Sequence, residues 1–403
     1  MTGALDDIKV LELANWVAGP SAGAILADLG ADVVKVEPLQ GDSMRGKLRQ
    51  PNLPEDAPRT DFPFHLDNRG KRSLAVDLND PRGNELVREL ALDCDVVITN
   101  LLPRRLEKFG LAPDQLRAAN STLIYALVTG YGSTGDDADR IAFDLTAFFG
   151  RGAIMSLIGE PGEPPPAFRA GQGDHPTGLA LLSGILAALR VRDRTGEGQV
   201  VETALMRTAA WTIGCDVAAA LIDGEQPNKR ARNEAFSPMN TRFECADGWI
   251  NLSTFNQGIW DKFCTALDRP DLIDDERFAT PVDRFRNNIE LIGILDEVFA
   301  GRTVAEWTAP LDGTGIIWAK VAELPDLVAD PQAAEMGMYV EVDHPVAGPF
   351  RTLAAPFTMS GTPLSIRGSG PEIGEHTDEV LTERGIEAAR VAELRADGVL
   401  GGD

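Results

Sequence analysis

Cysteine, histidine and tyrosine are scarce in this 403-residue chain, with four, four and three copies. Cys94, Cys215, Cys245 and Cys264 lie far apart and match no metal-ligand spacing, and His65, His175, His344 and His376 are equally scattered. No metal site is therefore expected, and the cysteines read as reduced, mostly buried thiols of a cytoplasmic protein. The longest apolar run, 179–191, is too short to span a bilayer, so no membrane partner is expected. The opening Met-Thr-Gly-Ala-Leu-Asp-Asp is acidic and has no apolar signal segment. Positive charge is short too: 38 Lys and Arg stand against 62 Asp and Glu, a formal net charge of -24. That balance disfavours a nucleic-acid partner. Three phosphate or hydrolase signatures are missing. The turn Ala14–Ser21 has one glycine where a dinucleotide fingerprint needs three, and neither Gly-x-x-x-x-Gly-Lys-Ser/Thr nor Gly-x-Ser-x-Gly occurs.

What is present is an ordinary globular composition, 43% hydrophobic and 25% charged, on a chain long enough for two domains. Residues 8–13 and 31–37 read as strands around a helix at 20–29, a βαβ unit. Strand candidates at 73–78, 95–99 and 123–129 alternate with helical stretches at 80–92 and 112–119, which predicts a mostly parallel α/β sheet. An apolar helix is expected at roughly 201–222, a polar linker at 223–240, and a hairpin at 243–253 around Ala246-Asp247-Gly248. Helices are expected at 256–267, 285–299, 303–312 and 375–395. The basic residues cluster: 12 of the 38 fall between 41 and 110, among them Arg45, Arg49, Arg59, Arg69, Lys71 and Arg72. In so acidic a chain this suggests a small ligand carrying phosphates.

One carboxylate stands out. In Gly171-Gln172-Gly173-Asp174-His175-Pro176-Thr177-Gly178, Asp174 lies between glycines and an apolar helix, with Pro176 suited to the first helical position. The spacing predicts Asp174 at or near the N-cap, where free N–H groups and the helix dipole favour an ionised carboxylate. By itself this is equally the description of a helix cap.

Several stretches in order resemble the class III coenzyme A transferase family, which includes formyl-CoA and carnitine CoA-transferases and the α-methylacyl-CoA racemases. They are Ala18-Gly19-Pro20, Leu29 to Glu37, Asn68 to Ser73, Gly130-Tyr131-Gly132, Arg140 with Phe143-Asp144, Gly173-Asp174, Gly196-x-Gly198-Gln199, Asp330-Pro331-Gln332 and Gly374-Glu375-His376-Thr377. The resemblance covers nearly the whole chain. It implies a large Rossmann-like α/β domain built from both chain ends, 1–224 with 329–403, and a smaller α/β domain at 225–328. It also implies two such subunits threaded into an interlocked, ring-like homodimer.

By the same resemblance Asp174 is the catalytic carboxylate and Asp144 an acidic partner close to it. Coenzyme A is placed near Val17, Ala18, Lys71, Arg72 and Arg140. Many members have an arginine facing the nucleotide phosphates where this chain has Leu102, leaving Arg104 or Arg105 as the substitute. The implied reaction moves CoA from an acyl-CoA to a carboxylic acid acceptor, with no tightly bound cofactor. Racemase members carry a histidine before the aspartate matched by Asp144; here it is Phe143, which cannot move a proton. Racemisation of a 2-substituted acyl-CoA, with Asp174 and His175 as the pair, and CoA binding without turnover are the alternatives. Gly171–Gly173 and 130–135 are expected to donate N–H groups to an oxyanion. Trp16, Phe143, Phe148, Phe149 and Met155 are candidates for an acyl pocket.

Overall fold

The computed structural model describes residues 3–47 and 60–402, so Arg49 and Arg59 of the basic cluster lie outside the described residues. The first stretch alternates strictly: β1 (Lys9–Leu13), α1 (Ala18–Asp28), β2 (Asp32–Glu37), α2 (Phe62–Asn68), β3 (Arg72–Ala75), α3 (Pro81–Leu92) and β4 (Val96–Thr99). It continues with α4 (Pro103–Phe109), α5 (Pro113–Ala119), β5 (Ile124–Thr129), a π-helical turn at Leu145–Arg151, the single turn α6 (Ile154–Leu157), and α7 (Asp174–Thr195). Next come β6 (Val200–Ala204), α8 (Leu205–Thr212) and α9 (Gly214–Asp223).

Strands β1 to β6 form one parallel sheet in the order β3-β2-β1-β4-β5-β6. Because side chains alternate along a strand, β1, β2, β4 and β5 each feed two cores. Val10, Val33, Val96, Ile98 and Ile124 meet Ala22, Leu26, Leu181 and Ile185 of α1 and α7 on one face. Leu11, Val34, Leu74, Val97 and Tyr125 meet Leu86, Leu90, Leu106 and Leu116 of α3 to α5 on the other. Each such fully buried leucine contributes roughly 1.5–3 kcal/mol. Both faces are covered, which is why the strands read as continuous apolar runs.

The segment expected as one apolar helix at 201–222 is instead strand β6 followed by two helices. Val200-Val201-Glu202-Thr203-Ala204 is rich in β-branched residues and pairs with Tyr125 to Thr129. The apolar character that suggested a helix belongs to α8 and α9, with Ile213 at the break.

A second compact unit comprises residues 157–166 and 225–333. It contains the antiparallel strands β7 (Arg242–Cys245), β8 (Gly248–Leu252) and β9 (Trp318–Lys320). Its helices include α10 (Trp260–Ala266), α11 (Pro281–Arg286), α12 (Asn288–Ala300), α13 (Val304–Leu311) and α14 (Leu324–Ala329). Phe243, Ile250, Phe263, Phe278, Leu295, Phe299 and Trp307 fill its core. The chain then runs through α15 (Pro331–Glu335) into the hairpin β10 (Tyr339–His344) and β11 (Gly348–Leu353), then α16 (Thr377–Glu383) and α17 (Ala388–Ala396). Val380, Leu381 and Leu394 of α16 and α17 pack into the core that holds Leu74 and Leu86. Both ends of the chain therefore belong to the first compact unit, which spans 1–156, 167–224 and 334–403.

Candidate active site

The strand order reverses between β1 and β4, and ligands of open parallel sheets bind beyond the strand ends at such a point. There the β1–α1 turn is braced across the gap. The Asn15 N–H donates to Asn100 Oδ1 (3.1 Å), and Asn100 Nδ2 donates to the Asn15 carbonyl (2.7 Å). Trp16 sits at φ +69°, a costly conformation for a bulky residue, with its N–H donated to Asp42 Oδ1 at 3.0 Å.

A buried ion network underlies this turn. Lys35 Nζ lies 3.0 Å from Glu12 and 2.8 Å from Asp42, and donates to the Ala14 carbonyl at 2.7 Å. Lys71 Nζ lies 2.8 Å from Glu12 and donates to the Pro20 carbonyl and Asn68 Oδ1, each at 2.9 Å. Burial would lower Lys35, but the carboxylates of Asp42 and Glu12 outweigh it and hold the ammonium above the ordinary lysine range. Burial wins at Lys71, pushing it down to about 8 against the pull of Glu12.

This corrects two expectations. Lys71 faces no solvent and completes a core ion cluster, so it is not placed to meet a phosphate. Arg72 is held by Asp32 at 2.8 Å, Glu379 at 2.9 Å and Glu383 at 2.6 Å, tying β3 to α16. Basic residues bound to carboxylates far away in sequence look, in sequence alone, like basic residues awaiting an anion.

Val17 and Ala18, expected near the coenzyme, lie at the start of α1, two residues before the expected helix start at Pro20. Val17 is the N-cap and supplies no side-chain cap, so the first N–H groups of the helix have no partner from it. Arg104 and Arg140 come from segments joined by Asp139, whose Oδ1 accepts the Arg104 N–H at 3.0 Å. Arg140 is exposed, 3.4 Å from Asp137 and 5.5 Å from the centre of the Tyr131 ring. Arg105 lies 5.3 Å from the centre of the Phe109 ring. Among the described residues no carboxylate pairs with Arg104 or Arg105.

Asp174 is the first residue of α7 rather than its cap, which is Gly173, and Pro176 is the third helical residue. The shift of one position follows from the turn before it. Gly171 takes φ +90°, and any Cβ on Gly173 would lie 2.6 Å from the Phe148 ring. A Cβ on Gly178 would lie 2.1 Å from Ser21 Oγ, so α7 presses directly onto the first turns of α1.

Asp144 holds the turn from beneath. It is 1% exposed; its Oδ2 accepts the N–H groups of Gly171 (2.8 Å) and Gly173 (3.1 Å), and its Oδ1 that of Leu145 (2.8 Å). Both oxygens thus accept backbone N–H groups, so Asp144 holds the turn before Asp174 instead of standing free as an acid or base, a correction to the catalytic part expected of it as the acidic partner of Asp174. The same bonds remove Gly171 and Gly173 as oxyanion donors. Gly132 and Ser133 are also taken, by Thr129 Oγ1 (2.8 Å) and Glu202 Oε1 (2.7 Å).

Asp174 itself is only partly exposed, and burial, then the charges of Asp144 and Asp67, push its carboxyl up to about 7. His175 alone pulls the other way. Its Nδ1 is 3.0 Å from the Gly171 carbonyl oxygen and its Nε2 is 3.1 Å from Oδ1 of Asp67, a buried residue of α2. Burial would lower His175, but Asp67 outweighs it, and the ring is held above the ordinary histidine range. Asp67 and Asp42 carried no signal in the sequence, since what marks them is a partner in space.

Of the expected pocket residues, Phe148 and Phe149 are buried in a small core with Ile154 and Leu205, against which Met155 packs. Trp16 and Phe143 meet edge to face, 5.2 Å between centroids, and Phe143 is 48% exposed. A cavity of about 410 Å³ is lined by Tyr131, Gly132, Arg151, Met206, Arg207 and Val217 among others; of the expected site residues only Tyr131 and Gly132 of the 130–135 stretch border it. Among the described residues no group of three His, Cys, Asp or Glu is arranged to hold a metal.

A model of the family described as CoA-transferase family III matches residues 5–377. An (R)-2-hydroxy-4-methylpentanoate CoA-transferase of Clostridioides difficile is 31% identical over 402 residues, covering 98% of this chain and 99% of the relative. A succinyl-CoA:mesaconate CoA-transferase of Haloarcula hispanica is 34% identical over 399 residues, covering 95% and 97%. The crystal structure of a CAIB/BAIF family protein from Brucella suis superposes with a TM-score of 0.84 at 34% identity, covering 95% of this chain and all of the other.

Proposed function

The chain belongs to CoA-transferase family III and is an enzyme of that kind, and on that premise we propose that it moves CoA from an acyl-CoA to a free carboxylic acid with Asp174 as nucleophile. The observation that carries this reading is the placement of Asp174. It is a reachable carboxylate on the first turn of α7, fixed by Asp144 on one side and flanked by His175 on the other.

The ionised Asp174 attacks the thioester carbonyl. The C–S bond breaks, leaving a mixed aspartyl anhydride and CoA thiolate. The thiolate attacks the aspartyl carbonyl, expelling the donor acid and giving an aspartyl-CoA thioester. The acceptor carboxylate attacks that thioester, the thiolate leaves again, and its return to the acceptor carbonyl frees Asp174. Covalent catalysis divides one difficult exchange into easier steps, and holding thiolate and anhydride together is worth up to about 7–11 kcal/mol in the best intramolecular cases. A carboxylate poorly solvated by its surroundings is also the more reactive nucleophile once ionised.

The uncapped start of α1 at Val17 and Ala18 offers N–H groups to the coenzyme or an oxyanion, with Arg104 or Arg105 and Arg140 for its phosphates. Trp16 and Phe143 support an acyl group larger than formate. Both ring nitrogens of His175 face acceptors, which weighs against its serving as a proton carrier in racemisation.

The working unit in this reading is a homodimer, interlocked as the resemblance implies and cytoplasmic, each subunit dividing into a Rossmann-like domain from both ends and a smaller domain at 225–328. Helix α9 supports the dimer: it is apolar yet buries none of its residues, with Leu221 and Ile222 more than four-fifths exposed. The test pairs common acyl-CoA donors with short, branched and dicarboxylic acids and follows CoA exchange. Exchange that disappears in Asp174→Ala is expected; exchange that survives the substitution ends the proposal.

A further inference from the structure

We propose that Asp67 and His175 act as a charged pair that positions Asp174 and keeps its carboxylate ionised toward the acid side of the working range, a role that rests on Asp174 being the nucleophile. The Gly171 carbonyl oxygen only accepts hydrogen bonds, and an ionised carboxylate likewise only accepts. His175 sits between the two, 3.0 Å and 3.1 Å away. With Asp67 ionised, both contacts are hydrogen bonds only if the ring carries a proton on each nitrogen, which makes it an imidazolium. Asp67 is 2% exposed, so an uncompensated charge there would be unfavourable, and the ring supplies the compensation.

The pair has two consequences for the turn that carries Asp174. It closes a long-range tie, 108 residues apart in sequence, between α2 and the first turn of α7. It also holds the turn by polarity opposite to that of Asp144. Asp144 accepts the N–H groups of Gly171 and Gly173, while His175 donates to the Gly171 carbonyl. The charged groups that bear on Asp174 are then Asp144 beside the π-helical turn, Asp67 on α2 and His175 on its own helix, two anions and one cation. Removing the cation leaves burial and both anions unopposed, so Asp174 ionises at higher pH. With both protons engaged, His175 acts as a positioning residue and not as an acid or base.

Two measurements test this. The first needs no turnover: with ¹³C-labelled histidine, the His175 signal among the chain's four is identified by its loss in His175→Asn and titrated in the wild-type chain and in Asp67→Asn. The expected result is titration above about 6.5, the ordinary histidine value, and a downward move in Asp67→Asn. A His175 that titrates at or below that value, or ignores Asp67→Asn, overturns the pair. The second follows CoA exchange against pH. In His175→Asn the acid limb should move up by about half to one unit, so that the rate at pH 6 falls about two- to fivefold more than the rate at pH 8. A loss equal at every pH would mean a structural role alone and would overturn the proposal. If the wild-type chain exchanges no CoA with any acid, the nucleophile reading fails by itself, while the titration still decides whether the pair exists.

Discussion

Replacing Asp174 with Asn should make the protein more stable at pH 8, not less. The Asp174 carboxyl is pushed from the ordinary aspartate value of 3.8 to about 7, chiefly by burial and then by Asp144. A shift of about three units, at about 1.4 kcal/mol each, sets a ceiling of about 4 kcal/mol on the penalty for carrying the charge. Partial exposure at the first turn of α7 cuts this to about 2 kcal/mol once solvent screening is allowed for. Loss of a negative charge at a helix N-terminus works the other way, by about 0.3–1 kcal/mol, and is the smaller effect.

The sign follows from linkage. Below pH 3.8 the group is protonated in both the folded and unfolded chain, and no penalty exists. Between 3.8 and about 7 the unfolded chain is ionised while the folded one holds its proton, so stability falls as pH rises; above about 7 the loss is complete. Thermal melts of the two proteins across this range should show Asp174→Asn melting about 1–2 °C higher at pH 8, with the gap closing toward pH 4. A variant that melts below the wild type at pH 8, or a gap independent of pH, would refute the reasoning.

Lys71→Met should cost about 3–5 kcal/mol of stability, because Glu12 loses one of its two buried ammonium partners. Pairing it with Glu12→Gln should restore part of that, read as a recovery in melting temperature. Asp144→Asn should slow CoA exchange about tenfold or more by loosening the Gly171–Gly173 turn. The acid limb should nonetheless move to lower pH, since an anion that raises Asp174 has gone. Leu221→Asp with Ile222→Asp should shift the solution mass toward that of one 43.3 kDa chain, as light scattering would report.

The parallel sheet was legible because its first five strands are short runs closed by turn residues, as in Val96–Thr99 or Ile124–Thr129. Strand β6 was not, because it runs without a break into apolar α8 and its strand character depends on pairing with β5. Asp174 could be found from glycines on one side and an apolar helix on the other, both local features. Its environment could not. Asp67 reaches it from α2 through His175, and Asp144 reaches it through two backbone N–H groups. Lys71 and Arg72 show the same limit from the opposite direction: their carboxylate partners Glu12, Asp32, Glu379 and Glu383 are up to 311 residues away, and only the fold reveals that these cations are already spent.

The central claim, that the Asp174 carboxylate forms a covalent bond to the acyl or CoA group, is tested most directly by mass spectrometry of peptides from protein mixed with acyl-CoA and quenched with hydroxylamine. The account predicts a hydroxamate on Asp174, absent when acyl-CoA or hydroxylamine is left out. Active protein in which Asp174 stays unmodified, or in which the hydroxamate sits on another carboxylate, would contradict it.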